Sequence, residues 1–245
     1  MQKLIKTNML GRYVINFLIR LVIFVGIGIM YIVDKQKMYD LMLQPIWKGI
    51  SPIMVLWLFF MILMLGHIFP AKSVSMAMRK ANKERYEEKK DYSELELLRF
   101  VQKQNVRAWR VMLIWLCFNA IFGILYLLKL INEVDLLMLT VFYFLSDYIC
   151  ILFYCPFQSV IMGNRCCVNC RIYDWGHFMM FTPMLFIRNF FSWSLFFTSC
   201  IVLIKWEIIY AKHPERFWHG SNTNLQCANC KDKICLLKRA VRKKD

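Results

Sequence analysis

The run FMMFTPMLFIRNFFSWSLFFTSCIVLIKW, residues 178–206, decides how the chain is organised. It is apolar almost throughout, yet its 29 residues exceed an untilted membrane crossing, for which about 20 residues span a hydrocarbon core of about 30 Å. Pro183 and the polar pair Arg188-Asn189 interrupt it. We read an interfacial or re-entrant piece at 178–187, followed by a crossing helix from Phe190. A single full crossing would put the segments on either side of this run on opposite faces of the membrane. A broken pair puts them on the same face, and that is the expectation.

Working outward, further apolar blocks predict spans at 13–33, 50–69 (stopping at Pro70), 109–130 and 136–162. The linker 34–48, with Met38, Tyr39, Leu41, Ile46 and Trp47, predicts a short interfacial helix. Segment 71–110 is rich in Lys and Arg, which places it in the cytoplasm. Within it, Ser93 followed by Glu96 fits a capping box that starts a helix feeding into the third span. The turn 131–135 is acidic, as an outside loop is. Residues 1–12 are basic and the apolar run after them has no small-residue cleavage site, so it reads as a retained first span with a cytoplasmic N-terminus. The predicted fold is therefore an all-α, multi-pass transmembrane bundle of about five membrane helices with a small Cys-rich cytoplasmic cap. Residues 1–162 form the bundle with its loop 71–110. Residues 163–245 hold the Cys-rich loop, the last membrane segment and a basic tail ending in Lys238, Arg239, Arg242, Lys243 and Lys244.

Composition agrees. Apolar residues make up 59% of 245, against roughly 45–50% in soluble domains. The net charge of +16 implies anionic lipids of a plasma membrane as partners, with no module for nucleic acid. Dinucleotide, P-loop, nucleophile-elbow and H-E-x-x-H motifs are missing from the sequence.

Ten cysteines are the strongest chemical signal. Cys117, Cys150, Cys155 and Cys200 fall in apolar spans, where thiols pack as small hydrophobes. The other six form two groups, Cys166-Cys167-x-x-Cys170 and Cys227-x-x-Cys230-x-x-x-x-Cys235. Two C-x-x-C steps are how a chain offers four thiolates to one tetrahedral ion. The predicted metal site is Cys167, Cys170, Cys227 and Cys230, with Cys166, Cys235 and His177 as further donors, holding zinc or an iron–sulfur cluster. Free cytoplasmic thiols are the alternative. A haem bridged by His67 and His177 is a further possibility, while His213 and His219 read as hydrogen-bonded loop residues.

Ionisable groups inside spans are expensive and mark function or helix pairing. Asp147 in the fourth span and Arg188 in the next apolar segment are expected to pair, with Asn119 nearby; Arg20 is expected to snorkel to the inner surface. The run Arg165-Cys-Cys-Val-Asn-Cys-Arg-Ile-Tyr-Asp-Trp-Gly-His177, together with His213-Pro-Glu-Arg-Phe217 and the Cys227/Cys230/Cys235 spacing, resembles a group of uncharacterised bacterial polytopic membrane proteins. The likeness covers about the last third of the chain and implies a pattern without a mechanism. Three functions follow as expectations: a membrane protein with a Cys-ligated metal at its cytoplasmic face, a redox protein serving a membrane partner, or a transporter or channel using an intramembrane Asp–Arg pair.

Overall fold

A computed structural model of the chain describes residues 8–43, 51–69, 76–80, 82–89, 91–164, 166–230 and 234–235. Residues 44–48 of the expected interfacial helix and the basic run 236–245 lie outside them. Helix α1 is Asn8–Val33, α2 Lys35–Leu43, α3 Pro52–Ile68, the single turn α4 Met76–Arg79, α5 Glu94–Leu127, α6 Glu133–Leu152, the short α7 Gly176–Phe181 and α8 Phe190–Lys212. Among the described residues no strand forms, and Glu88 and Asn222 pair as an isolated antiparallel bridge. Helices α1, α5, α6 and α8 are long and apolar enough to cross a bilayer. Helix α3 is apolar with 17 residues, about 25 Å at 1.5 Å per residue. Val22, Ile32, Leu113, Leu127 and Ile204 are exposed on these helices. A belt of that kind would be a liability in water and is the ordinary solvent-facing surface in lipid. The protein is an all-α integral membrane bundle.

Contacts fix the directions. Tyr13 lies against Tyr148 while Tyr31 hydrogen-bonds Asp135, so α1 and α6 are antiparallel. Trp57 meets Phe191 and Ser194, and Lys205 Nζ donates to the Ile68 carbonyl, so α3 and α8 run the same way. One end of the bundle therefore gathers the starts of α1 and α5 with the ends of α3, α6 and α8. Because it also carries segment 82–89, we call it the basic end.

Between α6 and α8 the chain threads the bundle interior. Helix α7 and the 3-10 turn Thr182–Phe186 run alongside α5, where Trp115 Nε1 donates to Thr182 Oγ1 at 3.1 Å and the Phe186 ring lies on Gly123. Pro183 brings no N–H, so this backbone cannot pair as one continuous helix. Unpaired backbone in hydrocarbon is very unfavourable, so such a segment persists only when wrapped by protein. Helices α5, α6 and α8 wrap it, and Phe60 of α3 packs edge-on against Phe181 at 5.2 Å. Phe181 and Met184 join Met64, Trp115, Leu136 and Leu195 in the main core. That core draws on residues from both sides of position 162. The segment ends at 187–189, where the Asn189 side chain caps α8 by accepting from the Ser192 N–H at 2.7 Å. Helix α8 then returns to the basic end, so loop 163–175 and tail 213–230 lie at the same end.

Three local expectations differ from the structure. The loop helix feeds into the third span as expected, as one 34-residue helix, α5, but that helix ends at Leu127 rather than 130. The fourth span ends at Leu152 rather than 162, because Pro156 stops the helix and a π turn, Phe157–Ile161, follows. Ser93 makes no side-chain cap to α5. Instead, a carboxylate caps α6, where the Asn132 N–H donates to Asp135 at 2.7 Å.

A Cβ at Gly123 would fall 2.4 Å from Phe186 Cζ, whereas one at Gly26 meets nothing within 4 Å. Gly26→Ala should therefore stabilise α1 by up to about 1 kcal/mol, while Gly123→Ala should destabilise by about 1–3 kcal/mol through overpacking. Thermal unfolding of both variants in detergent checks this; equal shifts would mean the buried segment does not press on α5.

Candidate functional site

The motif residues of the loop build an anchor at the basic end. Arg171 forms an ion pair with Glu207 of α8, donates to Asn105 Oδ1 at 2.5 Å and lies 4.0 Å over the Tyr210 ring. Trp175 Nε1 donates to Glu207 at 2.9 Å, and Trp206 Nε1 donates to the Arg171 carbonyl at 2.7 Å. The tail completes the anchor. Phe217 is buried against Trp206 and Tyr210, each at 5.1 Å, Trp218 stacks on Phe100, and Thr223 and Asn224 bond the 85–87 backbone. His213-Pro-Glu-Arg-Phe217 is thus a docking turn.

This anchor holds Asp174 and His177 in fixed positions beside α3. Asp174 and His67 Nδ1 are 2.7 Å apart, and His67 Nε2 faces His177 Nε2 at 3.4 Å with the rings perpendicular. With His67 neutral, a carboxylate acceptor at Nδ1 puts the ring proton there and leaves Nε2 to accept from the Nε2–H of His177. His177 Nδ1 is buried and has no hydrogen-bond partner among the described residues. Perpendicular rings 4.6 Å apart leave no room for a porphyrin between them, so the bridged haem does not fit.

A second polar group faces the first. Arg20 Nη1 donates to Asp147 at 3.0 Å and to the Phe144 carbonyl at 2.6 Å, with its guanidinium 4.0 Å over both the Phe144 and Tyr148 rings. Asn16 donates to Tyr148 Oη at 3.1 Å. Asp147 packs against Gly176, next to His177. Together these groups line a cavity of about 620 Å³ bounded by α1, α3, α6 and the start of α7. It holds one guanidinium, two carboxylates and two imidazoles.

Arg188 is the correction here. It lies at the opposite end of the buried segment, within electrostatic range of Tyr126, so it cannot meet Asp147. Arg20 does not snorkel away; it pairs with Asp147 instead. Asn119 is elsewhere in the core, donating to the Trp115 carbonyl and accepting from Tyr143 Oη at 3.2 Å. The sequence reading missed the roles of Asp174, Glu207 and Arg20. The spacing Asn16, Arg20, Ile23, Ile27 marks one face of α1 and was the available signal.

The cysteine groups are brought to one end but not to one point. Cys167 and Cys170 are buried on the bundle side, with Cys167 Sγ donating to Gln158 Oε1 at 3.0 Å. Cys166 and Cys230 pack on the other side around Val168 and Leu225, and Cys227 is exposed. Cys235 is half-buried next to Ile234, which packs on Tyr13 and Leu152. Among the described residues no group of three or more His, Cys, Asp or Glu side chains is arranged to hold a metal ion. Burial pushes the Cys170 thiol up to about 12, with Lys80 pulling the other way. No family model, curated protein or solved structure matches the chain.

Lys80 is fully buried, donates to the Cys170 carbonyl at 3.1 Å, and burial lowers its pKa to about 8. The unfolded chain, with a lysine near its usual ~10.4, then binds more protons than the folded one between pH 8 and 10. Stability should rise with pH across that window, level off below it, and lose this slope in Lys80→Met. Melting temperatures from pH 7 to 10 in detergent provide the check. A double-mutant cycle on Arg20→Met and Asp147→Asn should give a coupling on the order of 1–3 kcal/mol; additive losses would mean the pair is not formed.

Proposed function

We propose that the protein is a plasma-membrane protein with its basic end and N-terminus in the cytoplasm, which binds a polar or ionic group in the Arg20–Asp147/His67–His177 cleft and exchanges a proton with it. The orientation follows from the Lys- and Arg-rich 71–110 segment against the few basic residues of the other end. One observation carries the function: the unbroken chain Asp174–His67–His177, whose last imidazole opens on a cavity already holding an ion pair. Histidine is the side chain that changes charge near neutrality, and intramembrane His–Asp chains are suited to proton transfer. The carboxylate fixes the His67 tautomer, so a proton arriving at His177 can pass to His67 Nε2 without either ring turning over.

Nitrogen-15 spectra of histidine-labelled protein in nanodiscs test this. His67 should show the Nδ1-protonated tautomer, Asp174→Asn should abolish that preference, and His67→Gln should shift the His177 titration. Two histidines that titrate independently of each other and of Asp174 would defeat the reading.

A second reading is favoured by the joint packing of Cys166 and Cys230 from loop and tail. In it, these thiols, with Cys227 and residues of the tail, hold zinc or an iron–sulfur cluster that ties the cap together or serves a redox partner in the membrane. Elemental analysis of anaerobically purified protein should find about one zinc per chain, or iron with a visible absorption band, lost in both Cys166→Ser and Cys230→Ser; metal-free protein would end that reading.

A further inference from the structure

The polar cleft does not stop at the Arg20 level. A second, apolar cavity of about 130 Å³ continues from it toward the other end of the bundle. Ile23, Phe59, Phe144 and Met180 line both, so the two cavities adjoin. Their walls are α1 and α3, which pack on α6 and α8 respectively. The floor is α6 and the buried segment, through Thr140, Val141, Phe181 and Met184.

The two walls share one polarity gradient. On α1 the facing stripe reads Asn16, Arg20, Ile23, Ile27 from the basic end inward, at helical spacing. On α3 it reads His67, Leu63, Phe60, Leu56, Ile53 in the same direction. From Arg20 to Ile27 is about 10 Å, and from His67 to Ile53 about 21 Å, at 1.5 Å per residue. A hydrogen-bonding head followed by an apolar channel of that length has the outline of a lipid, set at the depth of one leaflet of a core about 30 Å thick. Ile19 on α1 and Phe59 on α3 line the cavities and are at the same time exposed and apolar, so the side between α1 and α3 faces bilayer.

We infer that the cleft takes a membrane lipid, admitted laterally between α1 and α3, with its head among Asn16, Arg20, His67 and His177 and one chain along Ile23, Ile27, Leu56 and Phe60. The head is one that both donates and accepts hydrogen bonds, because the cleft sets a single guanidinium among two carboxylates and two imidazoles. A site for a bare phosphate would instead be ringed by cations. This inference rests on the reading of the polar cleft as a binding site, and it names the ligand class for it.

The test uses the full-length protein in nanodiscs of phosphatidylglycerol and phosphatidylethanolamine doped with phosphatidylglycerol bearing a diazirine on its acyl chain. After illumination, peptide mapping should find label concentrated on Ile27, Leu56, Phe60 and Val141 relative to the outward-facing Val22, Leu113 and Ile204. Ile27→Trp and Leu56→Trp, each filling the channel, should lower groove labelling at least fivefold and leave the outward positions unchanged. Asn16→Leu should lower it through loss of head contacts. Labelling spread evenly over all lipid-facing residues, or groove labelling that both tryptophan variants leave intact, overturns the inference. The histidine spectra of the same samples are an independent readout. Preserved His67–His177 coupling with even labelling removes the lipid and leaves the polar site standing, whereas loss of coupling in unmodified protein removes the site itself.

Discussion

A piece of chain that cannot be a regular helix lies inside the membrane, and the rest of the bundle answers to it. From Gly176 to Asn189 the backbone passes through a short α-helix, a 3-10 turn begun by Thr182-Pro183, and an extended corner. Water is not there to satisfy such a backbone, so neighbouring helices must shield it from lipid. Gly123 gives up its side chain so that Phe186 can lie on α5, and Trp115 turns its indole N–H to Thr182. The same segment delivers His177 to the interior and brings α8 back to where it started. Site and topology therefore have one cause.

The groups at the basic end act chiefly by position. A buried ion pair adds little net stability once desolvation is counted, so Arg171–Glu207 and Arg20–Asp147 matter for what they fix in place. Glu207 ties the loop to α8 through Arg171 and Trp175, and the tail seals this knot with Phe217 and Trp218. Two residues along from Trp175, the histidine faces His67, and one residue before it, Asp174 holds the His67 tautomer. A site set on a loop pinned by three elements can keep imidazole nitrogens facing one another, which a free loop could not. On the other wall, Arg20 takes its place because α1 packs along α6 and borders the cleft that α3 borders from the far side.

Much of the fold could be read in the residues. The blocks of apolar residues located the membrane helices, and the break at Pro183 with Arg188-Asn189 marked the fold-back, because a prolyl ring and a charge are both hard to keep in one crossing. Helix ends were read less well: Pro156 ended α6 early within a run that remained apolar to Met162, since hydropathy does not register a missing N–H. The site was only partly legible. Asp147 stood out as a charge in a span, but its partner depended on register, and Arg20 was as near in sequence character as Arg188. Asp174 and His67 are 107 residues apart, and no local pattern links them. The paired cysteine steps looked like one tetrahedral set, yet the turn at 166–170 points Cys166 and Cys167 to different sides.

The knot at the basic end and the cleft beside it depend on the chain turning back at 187–189, so that the loop and tail share a face of the membrane. Sidedness is the direct measurement: single cysteines at Cys227, at Asp91→Cys and at Lys129→Cys, in a background otherwise free of cysteine, labelled with an impermeant maleimide in sealed vesicles of known orientation. Positions 227 and 91 should react from one face and position 129 from the other. Labelling of 227 from the same face as 129 would mean that 178–206 crosses once, and the knot between loop, tail and α8, with the site it positions, could not exist.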